Sequence, residues 1–132
     1  MRFLLDTNIV SDLVRNPRGR SAARIAAVGE DQVCTSVIVA AELRYGAAKK
    51  ASLRLSMQLQ EVLDVLDVQA FEPPADVVYG KLRADLERVG QLIGPNDLLI
   101  AAQVLAGQHV LVSDNEREFA RVPGLMLENW LR

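Results

Sequence analysis

Four carboxylates in this chain stand where apolar runs give way to helical segments. Asp6 follows Phe3-Leu4-Leu5, and Asp114 follows Val110-Leu111-Val112-Ser113. Asp97 closes the loop Gln91 to Asn96, and Glu42 lies in the helical segment after Val33-Cys34-Thr35. If the apolar runs are parallel strands, their C-terminal ends share one sheet edge, and the helices that follow begin there. Four carboxylates converging in a partly dry cleft, with no lysine among them, would repel one another and resist ionisation. A hard divalent cation removes that penalty. Oxygen-only ligands suit magnesium or manganese, whereas one His and one Cys in the whole chain disfavour zinc. Magnesium keeps several of its waters, and one can be oriented toward a phosphate. The pattern therefore reads as metal-dependent phosphodiester hydrolysis. Each residue taken singly also has a plainer reading. Asp6 and Asp97 are good helix caps, and Glu42 could point to solvent beside Arg44 or Arg54.

Periodicity supplies the elements that would carry these groups. Phe3 to Leu5, Val33 to Thr35 and Val110 to Val112 are short apolar runs of buried-strand type. Val65 to Phe71 alternates in part and predicts a fourth strand, and Leu125 to Leu127 a last one. Between them lie helical patterns from Thr7 to Val14, Ser21 to Val28, Val37 to Ala48 and Ala51 to Leu63. Further patterns run from Pro74 to Val89, Leu98 to Ala106 and Glu116 to Ala120. Ser36 is a natural cap for the third, and Gly29 and Gly90 end the second and fifth. Leu98 to Ala106 is apolar nearly all round, as in a buried helix. Strands alternating with helices predict a three-layer α/β/α domain, residues 1–132, with a mainly parallel central sheet. The helices at 51–63 and 74–89 carry more apolar surface than one small sheet needs, which suggests a homodimer or an extra core layer.

The totals exclude several classes. With 132 residues, half of them hydrophobic and 24% charged, the chain suits one globular domain. A net charge of −2 and a pI near 5.4 give no global nucleic-acid signal, so an RNA substrate would need a local basic patch. Arg15, Arg18, Arg20, Arg44 and Arg117 are candidates for one, with solvated surface as their default. Cys34 stands alone, so no internal disulfide or thiolate cluster is possible, and a buried inert thiol in a reducing compartment is expected. His109 has no second His to ligate with. The N-terminal apolar run is too short for a signal peptide and no stretch reaches membrane-spanning length, so a cytoplasmic protein is expected.

The same segments carry a resemblance. Phe3-Leu4-Leu5-Asp6-Thr7-Asn8, Ala41-Glu42-Leu43-Arg44-Tyr45-Gly46 and Ile93-Gly94-Pro95-Asn96-Asp97-Leu98-Leu99-Ile100-Ala101-Ala102 come first. Leu111-Val112-Ser113-Asp114-Asn115-Glu116-Arg117-Glu118-Phe119 follows, and then Pro123-Gly124-Leu125 and Glu128-Asn129-Trp130. In this order, across essentially the whole chain, they resemble the PIN-domain ribonucleases, most closely the VapC toxins of bacterial toxin–antitoxin pairs. The resemblance implies a PIN-like fold and a Mg2+- or Mn2+-dependent endoribonuclease. Asp6 and Asp97 would ligate the cation. Glu42 would act through water, and Thr7, Asn8 and Asn96 would support these ligands. At the fourth position Ser113 stands where the family usually has Thr, and either Asp114 or Asn115 points inward. The resemblance also implies a VapB-like antitoxin over the cleft, a homodimer within a larger assembly, and operator DNA reached only through the antitoxin.

Two other readings compete. A catalytically silent PIN-like binding domain would keep the fold and lose carboxylates, yet Asp6, Glu42 and Asp97 are all present. A phosphotransfer domain with an aspartyl nucleophile needs a lysine at the phosphate. Lys49, Lys50 and Lys81 are poorly placed for that.

Overall fold

The computed structural model describes residues 2–132. Five short strands form one wholly parallel sheet: β1 (Phe3–Leu5), β2 (Val33–Ser36), β3 (Asp67–Gln69), β4 (Val110–Val112) and β5 (Leu127–Glu128). Their order is β3-β2-β1-β4-β5. Seven helices join them: α1 (Thr7–Arg15), α2 (Arg20–Val28), α3 (Val37–Lys49), α4 (Leu53–Val65), α5 (Ala75–Arg88), α6 (Pro95–Gly107) and α7 (Glu116–Phe119). The chain steps outward from β1 to β3, crosses back, and continues through β4 to β5 on the other side. Right-handed crossovers in opposite directions put helices on opposite faces of the sheet. This is the three-layer α/β arrangement that the alternation predicts.

The apolar runs fold as strands because both of their faces are covered. Leu4, Leu5, Cys34, Leu111 and Val112 are fully buried, and each such aliphatic side chain contributes about 1.5–3 kcal/mol in transfer from water. Register then fixes the functional edge. Leu5 lies opposite Thr35 on one side and Val112 on the other. The next residue along each strand, Asp6, Ser36 and Ser113, therefore emerges at the same rim. The Asp6 N–H donates to the Val112 carbonyl at 2.9 Å, and the Thr35 hydroxyl donates to the Leu5 carbonyl at 2.7 Å. The strand order reverses between β1 and β4, the place where open α/β sheets bind ligands.

Several boundaries differ from expectation. The strand expected over Val65 to Phe71 is only Asp67–Gln69, because α4 runs on through Val65 and the backbone first extends at Leu66. The last strand is Leu127–Glu128 rather than Leu125–Leu127, since its pairing with Leu111 and Val112 decides its position. A short 3-10 turn, Glu30–Gln32, precedes β2. α6 begins at Pro95, so Asp97 sits inside its first turn. That helix is not wholly apolar inside. Buried Gln103 accepts from the Ser36 hydroxyl at 2.5 Å and donates to the carbonyls of Gln69 and Ala70 at 3.2 and 3.1 Å. These bonds tie the helix that carries Asp97 to the ends of β2 and β3.

Candidate active site

Asp6 follows β1 and is 2% exposed. Its backbone occupies the N-cap position of α1, and its carbonyl accepts from the N–H groups of Ile9 and Val10. Its side chain, however, makes no capping bond. Oδ2 instead accepts from the Ser113 hydroxyl at 2.6 Å and more weakly from Asn8 Nδ2 at 3.4 Å. Oδ1 is buried with no partner. Burial raises the Asp6 pKa, as does the charge of Glu42, against the opposing bonds from Ser113 and Asn8.

The other groups are delivered by three elements. Ser36 caps α3 by accepting from the Ile38 N–H at 3.0 Å, and this sets the turn that carries Glu42. Glu42 Oε1 then accepts from the Thr7 hydroxyl at 2.8 Å, so α1 and α3 are joined at the rim. Asp97 enters from α6. Its pKa is pushed up to about 7, first by burial, then by the charges of Asp6 and Glu118, and also by Glu42. Three elements thus bring Asp6, Glu42 and Asp97 within electrostatic reach of one another.

The segment after β4 sorts its own residues. Asn115 Nδ2 donates to Asp97 Oδ2 at 2.9 Å and to Glu118 Oε2 at 3.0 Å. Ser113 Oγ receives the Asn115 N–H at 3.0 Å while donating to Asp6. Asp114 is exposed. Its N–H donates to Asn8 Oδ1 at 2.9 Å, and its carboxylate accepts from Asn129 at the same distance. Asp114 is therefore a correction: the turn points it outward, and the neutral neighbour faces the cluster. Asn96 is exposed and hydrogen-bonds to none of these groups among the described residues.

The fourth carboxylate near the cluster is Glu118, which the residue-level reading passed over as part of a short amphipathic helix. It accepts the Gly94 N–H at the loop leading into α6, and the Asn115 amide. Those bonds lower its pKa and keep it charged beside Asp97. The signal available in the sequence was spacing. Asn115 and Glu118 are three apart, so a helix starting at Glu116 turns both toward one side.

The donor set fits a hydrated cation. Among the described residues no three His, Cys, Asp or Glu side chains close around a point as a ready cage. Magnesium binds characteristically through one or two carboxylates while keeping its waters. Asp6 Oδ1, buried and unpartnered, and Asp97, strained by neighbouring negative charge, are the donors a cation would relieve. Elsewhere the chemistry is quiet. Burial pushes the Cys34 thiol up to about 11, and His109 lies at the far edge of the sheet, with Nε2 3.1 Å from Gln69 Oε1.

Comparison with known proteins gives the family and the fold. The sequence profile of the PIN domain matches residues 3–125. The chain is 38% identical over 132 residues to "Ribonuclease VapC2" of Rickettsia felis, covering 98% of each. It is 32% identical over 131 residues to "tRNA(fMet)-specific endonuclease VapC" of Salmonella typhimurium, again covering 98% of each. Among solved structures, VapBC2 from Rickettsia felis bound to a DNA fragment from its promoter superposes with a TM-score of 0.90. That match is at 35% identity and covers 98% of this chain and 99% of the other.

Proposed function

The chain belongs to the PIN-domain family as a VapC-type ribonuclease toxin, and we propose that it hydrolyses RNA phosphodiester bonds with Mg2+ or Mn2+ held by Asp6 and Asp97. The observation that carries the metal assignment is Asp6 Oδ1, buried without a partner in a cluster of negative charge. When bound, the cation supplies positive charge against the charge that develops on the phosphoryl oxygens.

The protein's own groups do the rest. Ser113 and Asn8 hold Asp6 by one oxygen, which leaves the other free to ligate. Asn115 clips Asp97 to Glu118 and sets the direction of the Asp97 carboxylate. Glu42, held by the Thr7 hydroxyl, would ligate the cation through water or orient the attacking water. Glu118, charged but tied to the Gly94 N–H, keeps Asp97 in its place. A silent binding domain has no use for three carboxylates gathered at this strain, so the enzymatic reading is favoured over it.

The partners follow from the same charges. A cognate VapB-like antitoxin would cover the acidic rim and compete with the cation for it, and operator DNA would be reached only through that antitoxin. Leu53, Met57 and Val65 of α4 and Val77 of α5 are exposed apolar side chains that suit the homodimer. An RNA substrate places the protein's work in the cytoplasm.

The test is RNA cleavage by the purified chain in Mg2+, in Mn2+ and in excess EDTA. Cleavage with either cation and none with chelator is expected. Full cleavage in EDTA sinks the metal assignment.

A further inference from the structure

A groove runs away from the carboxylates between α1 and α3. On α1, Thr7, Ser11 and Arg15 line it at intervals of four residues, so they form one stripe along the helix. Glu42 and Gly46 on α3, and Lys50 just past its end, do the same. The two stripes are pinned together at the active-site end by the Thr7–Glu42 bond. At that end the groove is acidic, and at the other it is basic. Eight residues of helix separate Thr7 from Arg15, a run of about 12 Å. The cavity holds about 300 Å3 over an apolar floor that includes Val14, Leu43 and Leu59. A Cβ on Gly46 would meet nothing within 4 Å, so this wall is open.

Arg15 and Lys50 are exposed, and among the described residues neither has a carboxylate within ion-pair distance. The charge acting near Arg15 is Asp12, whose Oδ1 is taken by Asn16 at 2.9 Å. Arg15 also borders a second cavity of about 710 Å3, which Arg18 and Arg20 line. Arg15, Arg18, Arg20 and Lys50, four of the chain's fifteen Lys and Arg, thus lie beyond one end of the site, with Asp12 lining the second cavity beside them.

We infer that the α1–α3 groove is the track of the RNA strand leaving the active site, with Arg15 and Lys50 pairing with a phosphate beyond the scissile one. This rests on the ribonuclease reading above and deepens it. The charge order favours RNA over a peptide. A strand whose scissile phosphate lay at the carboxylates would have a following phosphate at the basic end, with room for a base on the apolar floor between. Both cations also end helices, where they complement the helix dipole. That role alone would affect stability and leave RNA binding untouched.

The experiment compares the intact protein with Arg15→Gln/Lys50→Gln and with the charge-keeping Arg15→Lys/Lys50→Arg. Binding of a fluorescein-labelled, mixed-sequence single-stranded oligoribonucleotide is followed by anisotropy over a salt series without divalent cation. Cleavage of the same RNA is followed in Mg2+. The Gln pair is expected to weaken binding by about tenfold at low salt. It should also flatten the log Kd against log salt slope by about 0.7 per lost phosphate contact. In cleavage KM rises while kcat is kept, and the charge-keeping pair restores both Kd and slope. If the double variant loses its helical circular dichroism, each single Gln variant carries the slope test at about 0.7. An unchanged slope, no rescue by the charge-keeping pair, or no RNA binding by the intact protein overturns the track. So does a loss confined to antitoxin binding, which would make the groove a peptide site. Binding and cleavage are read separately. A protein that binds through the two cations but never cleaves overturns the enzymatic reading alone, and one that cleaves with an unchanged slope overturns the track alone.

Discussion

The two edges of the sheet treat charge in opposite ways. At the N-terminal edge, Arg2 meets Asp67 at 2.6 Å and also donates to the Val33 carbonyl, and His109 rests on Gln69. Arg2, Asp67 and His109 each have an opposite charge or a neutral partner there, although Arg2 Nε and His109 Nδ1 are left without one. At the C-terminal edge Asp6, Glu42, Asp97 and Glu118 gather with hydroxyls and amides around them and, among the described residues, no ion pair to Lys or Arg. The first edge lowers the Asp67 pKa, chiefly through its bond to Arg2, and the second raises that of Asp97 to about 7. One sheet therefore carries paired charge at one edge and uncompensated negative charge at the other.

The contrast breaks most visibly at the acidic edge. Asp6→Asn or Asp97→Asn is expected to cut RNA cleavage by at least about 100-fold with the fold retained, read by initial rates and circular dichroism. Wild-type rates in either variant would remove the residue from the metal site. Next in size is Asn115→Ala. Losing the amide that clips Asp97 to Glu118 should weaken Mg2+ activation by about 10- to 100-fold, whereas Asp114→Ala should change it little. The reverse order would mean that the turn after β4 presents its other side chain.

Stability should follow the same division. Without a divalent cation, Asp97 holds its proton more tightly folded than unfolded. Its ionisation therefore opposes folding, and stability declines as pH rises from the ordinary carboxylate range through about 7. Mg2+ at 100 times its Kd should offset this by about 2.7 kcal/mol at neutral pH, seen as a higher Tm, with little gain in Asp97→Asn. At the other edge the sign is opposite and the effect smaller. Arg2 depresses the Asp67 pKa, so that pair contributes above the ordinary carboxylate range and fades as pH falls through the depressed value. Asp67→Asn should cost about 1 kcal/mol or less in denaturant titration at neutral pH and leave cleavage unaltered. A loss of activity there would show that the two edges are coupled.

Much of this was legible in residue order because the determinants are local. Leu5-Asp6 and Val112-Ser113 end buried strands, and parallel register alone brings them to one rim. The α/β alternation carried the layer order for the same reason. Asp6 as a helix cap was half right: the backbone takes that position while the side chain turns inward to Ser113, 107 residues away, a partner that no local rule names. Asp114 against Asn115 could not be resolved from type alone, since the turn's backbone decides which of two adjacent residues faces in. Glu118 was hidden because its partners are a loop N–H and a carboxylate on another element. Gln103 was hidden in a helix whose other inward residues are apolar.

The central place of β1 has a consequence for how the toxin is made. Asp6 is made 107 residues ahead of Ser113, yet its strand needs β4 beside it, and its carboxylate needs the Ser113 hydroxyl. At about 5–20 residues per second, the 107 residues between them take roughly 5 to 20 seconds to synthesise. The nascent chain therefore carries an unassembled acidic centre for as long as those residues take to add. The centre can close only once β4 and Ser113 have joined it.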